Sequence, residues 1–231
     1  MRLNVIILGA PGAGKGTQAA RLARQRGLPK ISTGDILRQS IKDRLPVALV
    51  AKARMDRGEL LDDETMVTIV RERLVRPDTD AGFILDGFPR TVSQARSLDA
   101  IMEERGAGPL LVVDIVVPEE DLMSRLAWRR ICSQCGTNAE PADGAGTTRC
   151  QRCGGTLVPR ADDSEQVVLE RLTVYTHATR PLVEYYRERP TFCTINGAQT
   201  ADHVAQELSA TIDVAAARTR TIVEARGATG R

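Results

Sequence analysis

Hydrophobic positions along the chain follow two spacings. Continuous apolar runs of strand length occur at 3–8, 82–85, 110–117 and 191–195. Between them lie long segments in which apolar residues recur every three or four positions, the signature of amphipathic helices. Unbroken apolar strands alternating with helices predict an α/β fold around a central parallel sheet covered on both faces. Residues 33–44, 47–57 and 62–75 read as three helices in succession, with Thr33 as the cap of the first, Pro46 as the break before the second and Gly58 as its end. So long a helical excursion between parallel strands predicts a separate mobile lobe. Helix returns at 164–187 and 201–212, and residues 213–231 read as a helical extension ending in a partly disordered tail. There are no internal repeats.

Composition narrows this picture. A chain of 231 residues accommodates one substantial domain with a small insertion. The net charge of +2 gives no bulk electrostatic reason to bind nucleic acid or a membrane surface. Aromatic residues make up only 3%, so the core must be aliphatic. No apolar run approaches the ~20 residues of a membrane span. The N-terminal run is too short for a signal peptide and ends in a glycine-rich loop. A soluble, cytoplasmic protein is expected, with neither nucleic acid nor membrane as partner.

That loop, Gly9-Ala10-Pro11-Gly12-Ala13-Gly14-Lys15-Gly16-Thr17, lies between the first apolar run and a helical segment at 18–24. Strand, G-x-x-x-x-G-K loop and helix in this order form a phosphate-binding loop. Its backbone N–H groups converge on phosphate oxygens, the helix N-terminus adds its dipole, and Lys15 supplies a mobile positive charge. The hydroxyl comes one place later than in the general motif, at Thr17, because Gly16 follows the lysine. A nucleoside triphosphate is the expected ligand.

From 132 to 159 the composition shifts to Gly, Thr, Ala and charged residues with little to bury, yet the segment carries Cys132, Cys135, Cys150 and Cys153 as C-x2-C-x14-C-x2-C. Two such knuckles aim four thiolates at one point, the arrangement of a saturated, structural Zn²⁺ site. Metal binding would supply the folding energy that the missing core cannot, on the order of 10 kcal/mol. Spacing alone does not choose zinc over iron. Arg129, Arg130, Arg149 and Arg152 flank the ligands and can offset their negative charge. The fifth cysteine, Cys193, reads as a buried small residue in a strand.

Two further segments carry chemistry. Thr33 and Arg38 are spaced to share one face of a helix, which suits a base edge and a phosphate. Asp86, Gly87 and Arg90 follow a strand end, where ligands bind in open α/β sheets. Asp86 there can hold Mg²⁺ through water, Gly87 lets a base approach the backbone, and Arg90 can clamp a phosphate. Arg125, Arg129, Arg160 and Arg171, with Asp162 and Asp163, flank the cysteine segment on both sides. Closing that segment would gather positive charge where phosphoryl transfer needs it and would exclude water.

These motifs together resemble the adenylate kinase family, in its long-lid bacterial form with a zinc-bearing lid, from residue 1 to about 212. The resemblance implies a P-loop three-layer fold made of a core (1–32, 62–128 and 164–212), an AMP-binding lobe (33–61) and a lid (129–163). It implies reversible, Mg²⁺-dependent transfer of the ATP γ-phosphoryl group to AMP, giving two ADP. A monomer is expected because the domain must open and close freely. By that resemblance Gly12, Ala13, Gly14, Lys15, Gly16 and Thr17 hold the ATP phosphates, and Arg125, Arg129 and Gln199 complete the ATP site. AMP meets Thr33, Arg38, the backbone of Glu59, Leu60 and Leu61, then Gly87, Phe88, Pro89, Arg90 and Gln94, with Arg160 and Arg171. Lys15, Arg90, Arg129, Arg160 and Arg171 carry catalysis, Asp86 holds magnesium through water, and the four cysteines hold zinc. Three features depart from the family: Asn138-Ala139 where an aromatic is usual near the ATP base, Trp128 at a hinge commonly occupied by glycine, and the shorter cysteine spacer. The competing readings are a kinase of another nucleoside monophosphate, or of GTP, and a zinc-ribbon binding protein that uses ATP as a switch.

Overall fold

The structure, a computed structural model, describes residues 2–46, 48–139, 148–160 and 162–228. Its strands are β1 (Leu3–Leu8), β2 (Lys30–Ser32), β3 (Gly82–Asp86), β4 (Leu110–Val116), β5 (Arg130–Cys132), β6 (Leu157–Pro159) and β7 (Phe192–Asn196). Five of them form one parallel sheet in the order β2-β3-β1-β4-β7, and β5 pairs with β6 as a separate antiparallel hairpin. The register sets Ser32 against Asp86, Ile7 against Asp86 and Leu8 against Asp114, so the C-terminal ends of the central strands finish together at one edge.

The helices are α1 (Lys15–Arg26), α2 (Thr33–Lys42), α3 (Ala48–Asp56), α4 (Asp63–Leu74), α5 (Val92–Glu104), α6 (Glu119–Trp128), α7 (Glu165–Val174), α8 (Pro181–Arg187) and α9 (Ala201–Ala228). They cover both faces of the sheet, because successive strand residues point to opposite sides. Ile6, Leu8, Phe83, Leu85, Leu110 and Val112 pack with Val70, Leu98 and Leu182 on one face. Val5, Ile7, Ile84, Leu111, Val113 and Ile115 pack with Ala19, Leu22, Val204 and Leu208 on the other. Each fully buried Leu or Ile contributes about 2 kcal/mol in area terms.

The three-layer α/β fold and the successive helices of 33–75 match the hydrophobic pattern. Several details differ from it. Strand β2 is only three residues long and carries no apolar run of its own. Ser32 rather than Thr33 caps α2, its hydroxyl accepting from the Asp35 N–H, so Thr33 is the first helical residue. The single helix expected over 164–187 is interrupted by a π-turn at Tyr175–Thr179, closed by Arg180 N–H donating to the Tyr175 carbonyl. Pro181 lacks a donor and crowds the preceding turn, which accounts for the widening. Cys193 is half-buried on the edge strand β7, not a core residue. The last helix runs from Ala201 to Ala228, through the extension read as helical from 213. Residues 140–147 and 161 of the expected lid, and 229–231 of the expected tail, lie outside the described residues.

Candidate active site

The phosphate loop bends out of β1 into α1. Gly14 caps α1 in the left-handed region (φ 91°), a conformation that glycine adopts without penalty. The Lys15 ammonium turns back over the loop and donates to the carbonyls of Gly9 (2.8 Å) and Ala10 (2.9 Å). Burial pulls its pKa down to about 7, with Asp86 opposing and Arg90, Arg171 and Arg129 reinforcing the fall. A cation held this weakly by protein groups is ready to take a phosphate as its partner.

Gly16 sits in the first turn of α1 against two polar groups. A Cβ there would lie 3.3 Å from Asp86 Oδ2 and 3.3 Å from Asn138 Nδ2. The glycine after the lysine is therefore a matter of space: it leaves room for Asp86 and Asn138 beside the loop.

The acceptor side is a cleft lined by Thr33, Leu37, Arg38, Met55, Gln94 and Arg171, among others. Thr33 Oγ1 donates to the Gly87 carbonyl at 2.9 Å, and so does Arg90 Nε at 2.8 Å. Arg38 donates to Asp35, while its Nη1 is buried without a partner. Gln94 is fixed at both ends: Oε1 accepts from the Arg90 N–H at 2.8 Å, and Nε2 donates to Asp63 at 2.8 Å. One donor and one acceptor position of the amide remain for a ligand.

Above this cleft the arginines are held by two aspartates. Arg129 grips Asp163 bidentately, Arg160 grips Asp162 at 2.5 and 2.6 Å, and Arg171 reaches Asp163 at 2.8 Å. Burial alone would raise the Asp162 carboxyl, but Arg160 and Arg171 bring it down to about 2. Burial and the neighbouring Arg160 and Arg129 lower Arg171 to about 10. A triphosphate loop, a phosphate-sized group of cations and an enclosing segment thus meet at the C-terminal edge of a parallel sheet, the geometry of phosphoryl transfer.

A family model described as Adenylate kinase matches residues 7–191. The chain belongs to the adenylate kinase family. Among its relatives are the adenylate kinase of Archaeoglobus fulgidus, 43% identical over 216 residues that span 91% of this chain and 98% of that one, and that of Bacillus subtilis, 45% identical over 204 residues, 87% and 94% of the two chains. The adenylate kinase of Bacillus velezensis is 44% identical over 210 residues. The protein is accordingly a phosphotransferase of the nucleoside monophosphate kinase type.

For this adenylate kinase family member the cysteine segment has the donor set of a metal site. The Sγ atoms of Cys132, Cys135, Cys150 and Cys153 all lie within 4.8 Å of one another. Cys132 and Cys153 are 3.4 Å apart, and Cys135 and Cys150 are 3.7 Å apart. A tetrahedron with Zn–S bonds of about 2.3 Å has edges of about 3.8 Å, so the four thiolates fit Zn²⁺. All five cysteines are free thiols. Of the flanking arginines, Arg129 pairs with Asp163, Arg149 donates to the Gly154 carbonyl and Arg152 to the Thr137 hydroxyl.

The structure brings Thr33, Arg38, Glu59, Leu60, Leu61, Gly87, Arg90, Gln94, Arg160 and Arg171 to one cleft. Phe88 and Pro89 do not line it. Phe88 is buried in the core, and the pair shapes the turn that presents Gly87 and Arg90. The Glu59 side chain pairs with Arg57, and the Leu60 carbonyl accepts from Arg54, which leaves less of this backbone free than its position suggests. Arg125 is half-buried on α6. Gln199 bonds to Asn196 and Glu207 beside the start of α9 and does not line the cleft. Sequence reasoning missed Leu37, Met55 and Met66, which form the apolar wall, and Asp63, which orients Gln94. The helical spacing of Leu37 with Thr33 was a usable signal; the pairing of Asp63 with Gln94 had none in the sequence.

Proposed function

We propose that the protein catalyses reversible transfer of the ATP γ-phosphoryl group to AMP, giving two ADP, with Mg²⁺ accompanying ATP. The observation that carries this reading is the convergence of Arg38, Arg90, Arg160 and Arg171 with Thr33 and Gln94 on one cleft. That cleft offers phosphate partners at one place and a fixed amide at another, which suits a nucleoside monophosphate. Because the Arg90 N–H and Asp63 fix which end of the Gln94 amide is oxygen, the amide offers its donor and acceptor in one order only. On their Watson–Crick edges adenine (N1 acceptor, N6 donor) and guanine (N1–H donor, O6 acceptor) present opposite orders, so the fixed amide discriminates between them.

In this reading an AMP phosphate oxygen attacks the γ-phosphorus in line, forming one P–O bond as the bond to the ADP oxygen breaks. No side chain becomes covalently modified. Gly12 to Thr17 cradle the triphosphate, and Lys15 leaves the loop carbonyls for its oxygens. Arg90, Arg129, Arg160 and Arg171 neutralise charge on the transferring group; loss of any one costs on the order of 10²-fold in turnover. Asp86 would hold magnesium through water, and the bound ion would supply further charge neutralisation on the phosphates. Arg125 and Gln199 flank the ATP base. Residues 33–61 serve as the AMP-binding lobe and 129–163 as a lid stiffened by Zn²⁺ on its four cysteines, on a core that acts as a monomer in the cytoplasm. Among the described residues no helix is long and apolar enough to cross a membrane.

The test is ADP formation from MgATP with AMP, GMP, CMP or UMP as acceptor. Rapid turnover confined to AMP supports the reading. Turnover with another acceptor, or with none, overturns it.

A further inference from the structure

A line of alternating charges joins the acceptor cleft to the end of β3. Arg38 donates to Asp35 Oδ1, and Lys30 Nζ donates to Asp35 Oδ2 at 2.9 Å. The same Lys30 nitrogen stands 3.8 Å from Asp86 Oδ2. The β2–β3 register, Ser32 against Asp86 with Lys30 two residues earlier, puts lysine and carboxylate on one face of the sheet. Lys15 and Arg90 also act on Asp86 through their fields, and Arg160 feels Asp35. Among the described residues, however, only Lys30 makes an ion pair with both carboxylates. The phosphate chemistry derived above does not use it.

We infer that Lys30 is a positioning residue that ties the freedom of Arg38 to the charge at Asp86, and so couples the two nucleotide sites. The inference rests on the proposed function, in which Arg38 meets the AMP phosphate. Arg38 has one buried nitrogen without a partner and one bound to Asp35. An arriving phosphate therefore competes with Asp35 for the guanidinium. Lys30 weakens that competitor by neutralising its other oxygen. Burial raises the Asp35 carboxyl, but Lys30 and Arg38 outweigh it and hold the group at about 2, so it stays ionised at working pH.

Without Lys30, Asp35 directs its whole charge at Arg38 and AMP binds less tightly. Conversely, with a divalent cation at Asp86, Lys30 is repelled toward Asp35 and loosens its grip on Arg38. Occupation of either site then favours the other, and such coupling is reciprocal.

The test is calorimetric titration of AMP into the nucleotide-free protein and its variants, with circular dichroism and melting temperature to confirm folding. Lys30→Gln should raise the Kd for AMP by about fivefold, within the usual range of coupling between sites. Lys30→Arg should restore most of it. Asp35→Asn should bind AMP at least as tightly as the parent, and adding Lys30→Gln to it should change nothing more. An unchanged Kd in Lys30→Gln overturns the inference. So does an undiminished effect in the Asp35→Asn background, which would mean that Lys30 acts on the phosphate directly. In a second arm, with saturating AMP-PNP, Mg²⁺ should tighten AMP binding in the parent and not in Lys30→Gln; equal tightening in both overturns the coupling. A parent protein that does not bind AMP at all removes the proposed function itself, whereas a parent that binds AMP beside an insensitive Lys30→Gln removes only the role of Lys30.

Discussion

Lys15 offers a quantitative test of the phosphate loop. Its ammonium lies buried beneath the loop, bonded among the described residues to two carbonyls, and burial lowers its pKa to about 7. A triphosphate placed on it stabilises the charged form and returns the pKa toward the ordinary lysine value of 10.5. The bound pKa is then the higher of the two, so binding takes up a proton between them and weakens as pH rises through that window. At about pH 6 the free ammonium is ~90% protonated and uptake is ~0.1 proton; at about pH 8 uptake is ~0.9. Above about pH 7 the Kd for ATP should rise by up to ~10-fold per pH unit. Calorimetry in two buffers of different ionisation heat, repeated across this range, counts the protons directly. Lys15→Met serves as the reference, because it removes the titrating group and leaves the nucleotide's own ionisation. If parent and variant take up equal numbers of protons at every pH, burial does not control Lys15 and the reasoning fails.

Other predictions address the fold and the lid. Chelation of the metal, or Cys132→Ser, should lower the melting temperature by several degrees and abolish stoichiometric zinc measured by elemental analysis, with turnover in the still-folded protein changed far less. An unchanged melting curve would refute a structural metal. Gly82→Ala should destabilise the protein by more than about 3 kcal/mol in denaturant unfolding, because a Cβ there would sit 2.2 Å from the Leu3 carbonyl oxygen at φ 130°. Gly16→Val should lower kcat by about tenfold or more with little loss of stability, since its branches would strike Asp86 and Asn138 and hold the segments apart; a variant with parental kcat would show that this approach is not needed for turnover.

Much of this organisation was legible in the sequence because it was carried by local signals. The run at 3–8 with its glycine loop, the paired cysteines and the helical period of 33–75 each depend on neighbours within a few residues. What escaped depends on contacts distant in sequence. Strand β2 has three residues and is a strand only because β3 offers it a ladder. Thr33 gave way as cap because the adjacent Ser32 hydroxyl reaches the Asp35 N–H, leaving Thr33 to hold Gly87 from 54 residues away. The motif containing Phe88 and Pro89 was visible, but its division between turn and cleft was not, since only packing decides that Phe88 faces the core. Lys30 lies outside every motif, and its place between Asp35 and Asp86 emerges only from the register of β2 on β3.

The central position of β1 also has a consequence for how the chain reaches its native state. Strand β1 is the one that both halves of the sheet need, yet its ladder partners follow it in the chain only at Gly82 and Leu110. Neither neighbour can be reached by a hairpin, so long loops must close before β1 gains a single cross-strand hydrogen bond. Until then the aliphatic strand Leu3–Leu8 can be shielded only by local contacts such as those with α1. The phosphate loop therefore takes shape late in folding although it precedes both partner strands in the chain, and until they arrive β1 is an apolar segment exposed to aggregation.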